Sequence, residues 1–189
     1  MSGSPGNAFE ELKALDHESY LLERASAVLG WDQETGLPER AVGERAEQLA
    51  LLQGLTHERV TDPRIGALLD RIEADGADRD PIDAAFLREK RRQYALATKL
   101  PTSLVRELAQ NASLGQAAWV EARSSDDFGR FAPHLSRLIE LNRAVADHLV
   151  EPGDGHAGFG LGHAPAASKT SEGIIHSGLR QDFDLAETH

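Results

Sequence analysis

Gly30-Trp31-Asp32-Gln33-Glu34-Thr35-Gly36-Leu37-Pro38 joins two long amphipathic patterns and decides how the chain folds. Before it, Phe9, Leu12, Leu15, Leu22, Ala25 and Leu29 recur at gaps of three, four and seven, the spacing of one face of an α-helix ending near Trp31. Asn7 is the expected N-cap, and Glu10, three residues on, completes a capping box that occupies free backbone N–H groups. Gly36 then offers the positive φ that ends helices, and Pro38 blocks continuation, so the stretch reads as a corner.

Beyond the corner the helical period returns in Val42, Ala46, Leu49, Leu52 and Leu55, fading near Thr61. Asp62-Pro63 and Asp80-Pro81 are two copies of one start signal, a capping carboxylate followed by a proline in the first helical position. The first opens a helix through Ile65, Leu68, Leu69 and Ile72, and Ala74–Arg79 is a loop. The second opens a helix to about Leu100, closed by Pro101, because the residue before a proline is pushed out of helical geometry. A fifth helix starts at Thr102 or Ser103 and carries Leu104, Leu108, Ala112, Gly115, Trp119 and Ala122 on one stripe, whose small members allow close approach of a neighbour. Ser124-Ser125-Asp126-Asp127 breaks it. Phe128, Phe131, Leu135, Leu138, Val145 and Leu149 then form a seam interrupted by Asn142.

Residues 151–189 differ in kind: they hold 7 of the 17 glycines and 4 of the 8 histidines. Glycine at almost every second position from Gly153 to Gly162 leaves no core-forming stripe, so this segment is expected to be a poorly ordered tail, with at most a short element near Gly173–Leu179. The expected fold is all-α: about six antiparallel helices over residues 1–150, then a divergent Gly/His-rich tail over 151–189.

Composition agrees. Aromatic residues are only 5% of the chain, so the core is built from Leu and Ala, which favours packed helices over a sheet. Twenty basic against 31 acidic residues give a net charge of −11, which repels phosphate backbones and anionic headgroups and argues against nucleic-acid or membrane partners. The absence of cysteine excludes disulfides, a thiolate nucleophile and a Cys-type zinc site. Residues 1–7 lack the basic and apolar regions of a signal peptide, and the expected location is cytoplasmic.

Several separated strings make the chain resemble the N-terminal part of the carboxypeptidase Taq family of zinc metallocarboxypeptidases. They are Ala27–Thr35 with Leu37-Pro38, Arg45–Ala50 with His57, Arg91–Tyr94 with Lys99-Leu100-Pro101, Gln116–Trp119 with Glu121-Ala122-Arg123, and Asp127-Phe128 with Phe131–Leu135. The resemblance implies a mostly helical enzyme, usually a homodimer, that releases C-terminal amino acids from peptides. It also implies zinc held by the two histidines of an H-E-x-x-H helix and a later carboxylate, the motif glutamate acting as general base. None of His17, His57, His134, His148, His156, His163, His176 and His189 belongs to such a motif. The change at Glu151 reads as a truncation, with a tail read in a shifted frame or spliced from elsewhere as open alternatives, so this chain alone is expected neither to hold the family's zinc nor to hydrolyse peptides. No catalytic, cofactor-binding or metal-binding residue is assigned. The partners implied are a second copy or the missing catalytic half, with a peptide substrate only for the full-length protein. The alternative is a non-catalytic helical interaction or dimerisation module.

The chemistry-bearing residues therefore receive structural readings. Asp32 and Glu34 resemble an acid/base or metal pair, but at a helix end they point apart, and capping or pairing with Arg40 or Arg45 is simpler. Trp31 is read as a core or staple residue rather than a substrate platform. The cluster Arg88-Glu89-Lys90-Arg91-Arg92 is read as a solvated face pairing with nearby carboxylates. Tyr94 and His134 are read as partly buried packing residues. In the tail, His156, His163 and His176 with Asp154 have spacings that match no compact zinc pattern.

Overall fold

The computed structural model describes residues 5–150, and all regular structure among them is helical. The helices are α1 (Pro5–Thr35), α2 (Val42–Val60), α3 (Pro63–Asp75), α4 (Pro81–Ala97), α5 (Thr102–Ser125) and α6 (Ala132–Leu149). Single 3-10 turns, Glu39–Ala41 and Phe128–Arg130, lead into α2 and α6. The expectations for residues 151–189, including those on His156, His163, His176 and Asp154, lie outside the described residues.

The two Asp-Pro signals act as their chemistry dictates. The Asp62 carboxylate accepts from the Arg64 N–H at 2.9 Å, and that of Asp80 accepts from Ile82 and Asp83 N–H at 2.8 and 2.9 Å, each filling donors that a first helical turn leaves free. Gly76 (φ 60°) ends α3 and Asp126 (φ 52°) ends α5, both left-handed. Asp126 is the rarer case, since only a short polar side chain tolerates that region at modest cost.

Two expected boundaries are different. α1 begins at Pro5, so Asn7 lies inside its first turn rather than before it as a cap. At the other end α1 runs on through Trp31 to Thr35, and Gly36 does not take a positive φ. The Asp32 carbonyl accepts from both Gly36 N–H (2.9 Å) and Leu37 N–H (3.1 Å), and Pro38, extended at ψ 141°, turns the chain. The corner closes through a shared carbonyl and a proline, without backbone strain.

α1 is the spine of the bundle, and its inner face changes character along its length. In the first half Ala8, Phe9, Leu12 and Leu15 pack on Ile65, Leu68, Leu69 and Ile72 of α3, with Phe86, Leu87 and Tyr94 of α4 closing the cluster. Phe9 meets Phe86 edge-on at 5.9 Å. Each such fully buried aliphatic or aromatic side chain contributes about 1.5–3 kcal/mol relative to exposure, so this cluster is the main apolar core. In the second half the inner positions are Ser19 and Ser26, both buried, whose hydroxyls donate to the Asp16 and Leu22 carbonyls one turn back.

That polar half lies against α2, which packs in turn on α5. The buried line of α2 is Ala46, Ala50, Gly54 and His57, rotated from the expected Leu-rich stripe, because small side chains let the helix axes approach. Arg106 of α5 lies across Gly54. α5 is central: Arg106 and Ser113 face α2 and α1, while Gly115 faces His134 and Leu138 of α6. The expected α5 stripe is only half inside, since Ala112 and Trp119 are exposed. In α6 the buried residue is Leu141, one turn after Leu138, whereas Phe128 is 64% exposed. Asn142 interrupts the expected seam because it points outward and bonds the Leu138 carbonyl at 2.8 Å.

Candidate functional site

The corner is held by Arg45, the first helical turn of α2 reaching back over the end of α1. Its side chain is only 11% exposed. Nη1 donates to the Leu29 carbonyl at 2.6 Å, Nη2 to Asp32 Oδ2 at 2.7 Å and Nε to Gln48 Oε1 at 3.0 Å. A planar fork suits this task because it reaches a carbonyl and a carboxylate on adjacent turns at once. Asp32 is therefore a structural anion paired with Arg45, one of the two simpler partners expected for it, and Glu34 is exposed and turned away from it.

Next to Asp32, Gln33 makes a two-point contact across the bundle: Ser113 Oγ donates to Gln33 Oε1 at 2.6 Å, and Gln33 Nε2 donates to the Ser113 carbonyl at 3.2 Å. Sequence reasoning missed this pair, although a polar residue at a buried α5 position flags it. Trp31 departs from its reading as a core or staple residue. It is 68% exposed. Two residues on a helix differ by about 200° in direction, so once Gln33 faces inward, Trp31 must face out.

His57 ties α2 to the α4–α5 turn. Its Nε2 lies 3.1 Å from the Ala97 carbonyl, so that nitrogen carries the proton, and Nδ1, 3.0 Å from Thr102 Oγ1, accepts from the hydroxyl in the neutral ring. Lys90, Arg91 and Arg92 of the α4 basic cluster are paired with carboxylates as expected, although Lys90, only 20% exposed, is not on a solvated face. Lys90 bonds Asp16, Arg91 bridges Asp70 (2.7 Å) and Glu73 (2.9 Å), and Arg92 holds Glu89 at 2.7 Å. Hydrogen bonding to Arg92 keeps the Glu89 carboxyl below its ordinary range, and bonding to Glu73 raises the Arg91 guanidinium further. Tyr94 lies half-buried over Gly66, and His134 half-buried against Gly115, as read from the sequence.

Among the described residues no three His, Asp or Glu side chains come together as a metal site. Both nitrogens of His57 are engaged, and His17 stacks on Tyr20 at 5.9 Å. This donor set does not fit zinc. What the surface offers instead is an open apolar groove of about 360 Å³ between α5 and α6, lined by Ala112, Gly115, Gln116, Trp119, Phe131 and Leu138.

Among the described residues the chain is an all-helical bundle in which Asp32 and His57 are engaged in contacts between helices. Residues 11–157 match the pattern of the Carboxypeptidase Taq (M32) metallopeptidase family, and the chain belongs to that family. It is 38% identical over 157 residues to thermostable carboxypeptidase 1 of Thermus thermophilus, covering 80% of this chain and 31% of that protein. To thermostable carboxypeptidase 1 of Pyrococcus furiosus it is 30% identical over 131 residues, 69% of this chain and 26% of that protein. Among solved structures, BsuCP superposes with a TM-score of 0.69 at 26% identity, over 78% of this chain and 29% of its own. The M32 carboxypeptidase of Deinococcus radiodurans superposes at 0.55 and 35% identity, over 75% and 28%. The chain thus spans less than a third of the length of these relatives.

Proposed function

We propose that this chain is the N-terminal helical scaffold of a zinc metallocarboxypeptidase, a region that supports release of C-terminal amino acids without itself holding metal or reacting groups. The observation that carries the reading is the use of Asp32. The most distinctive string of the family, Gly30–Thr35, offers a carboxylate, and that carboxylate is taken up by Arg45 as part of a corner. His57, within another family string, is likewise consumed as a bridge between helices. In the whole enzyme zinc would supply an activated water for attack on the peptide carbonyl; the residues described in this chain would position helices. A cytoplasmic location goes with this reading.

The test is direct. The purified chain, incubated with zinc and a blocked peptide, is expected to release no C-terminal amino acid. Release that depends on added zinc and stops with a chelator would overturn the proposal.

A second reading, a dimerisation module, is favoured by one observation: Trp31, Val28 and Leu21 are all more than half exposed along the outer face of α1. Sedimentation of the chain decides it. A concentration-dependent dimer dispersed by Trp31→Glu supports this reading, and a monomer at all concentrations rejects it.

A further inference from the structure

α4 is fastened differently from the helices around it. Of its 17 residues none is fully buried, whereas α2, α3 and α5 each bury a line of side chains. Its inner face alternates polar and apolar positions, Asp83, Phe86, Leu87, Lys90, Gln93 and Tyr94, all half-buried. Lys90 stands in the middle of that face, where an amphipathic helix ordinarily carries an aliphatic residue. Its largely covered side chain lines the same small hollow as Leu12 and Ile65. The ammonium pairs with Asp16 of α1 and donates to Gln93 Oε1 at 3.0 Å. Around it Lys13 of α1 reaches Asp83 at 3.5 Å, and Arg91 reaches Asp70 and Glu73 of α3 at 2.7 and 2.9 Å. The apolar share in this half is Phe86, edge-on to Phe9, and Leu87. The C-terminal end is held otherwise. Tyr94 lies over Gly66, and the Ala97 carbonyl accepts from the buried His57, whose other ring nitrogen meets Thr102.

We propose that α4 is an electrostatically latched strap: it opens from its N-terminal end, between the Gly76 turn and the Tyr94–Ala97 anchor, while the other helices stay folded, and ionic strength sets how often it does so. The device is independent of the scaffold reading above. Pairs that remain partly wetted weaken as salt rises, whereas apolar burial does not. A segment with few buried apolar contacts belongs to the low-stability end of a fold and opens ahead of the rest. A 17-residue helix without tertiary packing is marginal in water, so a released α4 unwinds rather than swinging as a rod. Opening uncovers the side of the apolar cluster that Phe86 and Leu87 close, while the packing of Leu12 and Leu15 on α3 persists.

Hydrogen exchange of the full 189-residue chain, resolved by peptide, reads the opening. Amides of α4 ahead of Tyr94 are expected to exchange faster than those of α3 and α5. Raising sodium chloride from about 0.1 M to about 1 M shortens the screening length from about 10 Å to about 3 Å and should speed α4 exchange by about three- to tenfold, with α3 and α5 unchanged. Lys90→Gln is expected to speed it about tenfold at the lower salt and to reduce the salt response, because Asp16 is left without its partner. Lys90→Met together with Asp16→Leu replaces the pair by apolar volume, so α4 should exchange no faster than in the parent, again with a reduced salt response. Arg88→Gln, an exposed position of α4 outside these pairs, should change nothing. Exchange of α4 in step with α3, early exchange indifferent to salt, or a salt effect equal in α3 and α5 overturns the proposal. If a variant fails to fold, the salt response of the parent chain decides.

Discussion

Gly66→Ala tests the packing of the apolar core more sharply than removal of a large side chain. A methyl group at this position falls 2.9 Å from Tyr94 Oη and 3.0 Å from Cε1 and Cζ, all below ordinary van der Waals contact. Tyr94 is a rigid ring packed against the α1–α3 cluster, so it cannot yield at its tip as a flexible chain does. Overpacking of this sort costs about 1–3 kcal/mol, while alanine gains about 1 kcal/mol over glycine inside a helix. The net expectation is a loss of about 0–2 kcal/mol, centred near 1 kcal/mol, a fall in melting temperature of roughly 2–4 °C at the centre for a domain of about 150 residues. The comparison is Gly54→Ala. There the new methyl falls on Arg106 Nε and lies 2.8 Å from Cγ and Cδ, so the whole half-exposed Arg106 side chain must swing out, losing an exposed Glu58 pair of 2.9 Å and releasing a buried N–H that has no partner. An exposed pair is worth about 0–1 kcal/mol, so helix propensity cancels its loss and the change is within about 0.5 kcal/mol of neutral. Thermal and urea unfolding followed by far-ultraviolet circular dichroism measures both. Adding Tyr94→Leu to Gly66→Ala should cost less than the sum of the two single changes, since the clash is shared. If Gly66→Ala matches or exceeds the stability of the parent, the reasoning is wrong.

Two further predictions concern the polar ties. Arg45→Met removes three hydrogen bonds at the corner, two of them to partly buried groups, and is expected to cost about 2 kcal/mol, or roughly 6 °C in melting temperature. Asp32→Asn, which keeps an acceptor, should cost less than half as much, and equal losses would refute the view that Arg45 organises the corner. For Asp62, the Arg64 side chain and then the Arg64 backbone N–H hold the carboxyl below the ordinary aspartate range. A depressed folded pKa means that its contribution is present above the unfolded value of about 4 and lost as pH falls through the folded one. Asp62→Ala should therefore cost about 1 kcal/mol near neutral pH, and the gap from the parent should shrink in acid; a gap that widens in acid would contradict the capping geometry.

Much of the helix pattern can be read directly from the residues. Asp62-Pro63 and Asp80-Pro81 combine a fixed φ with a capping acceptor, and both start helices where they stand. Ile65, Leu68, Leu69 and Ile72 are all buried, because a helix packed on one side only has a single apolar stripe. The period misleads where a helix is packed on two sides or where small residues form the interface. On α2 the leucines drew attention away from Ala50 and Gly54, whose role depends on how near α5 comes, whereas Ala46 was in the expected stripe and is buried. On α5, Ala112 and Trp119 share the period of Leu104 and Ala122, yet face a groove rather than a neighbour. Trp31 shows the same limit. Its size argued for burial, but its direction is set by Gln33 reaching Ser113, a contact across 80 residues that no local pattern records. Asp32 was legible because its partner Arg45 lies just beyond the corner.

The change along α1 from a leucine face to a serine face also divides the bundle by cooperativity. The end built from Phe9, Leu12, Leu69 and Ile72 owes its cohesion to apolar burial, and the end at Ser26, Gln33 and Arg45 to directed bonds between small-residue helices. Amide hydrogens of α3 are then expected to exchange only on global opening, and those near the corner through smaller, earlier openings. One uninterrupted helix of 31 residues crosses both zones. It gives the looser end a rigid rod to re-form on, so the two zones open at different free energies yet share a single backbone template.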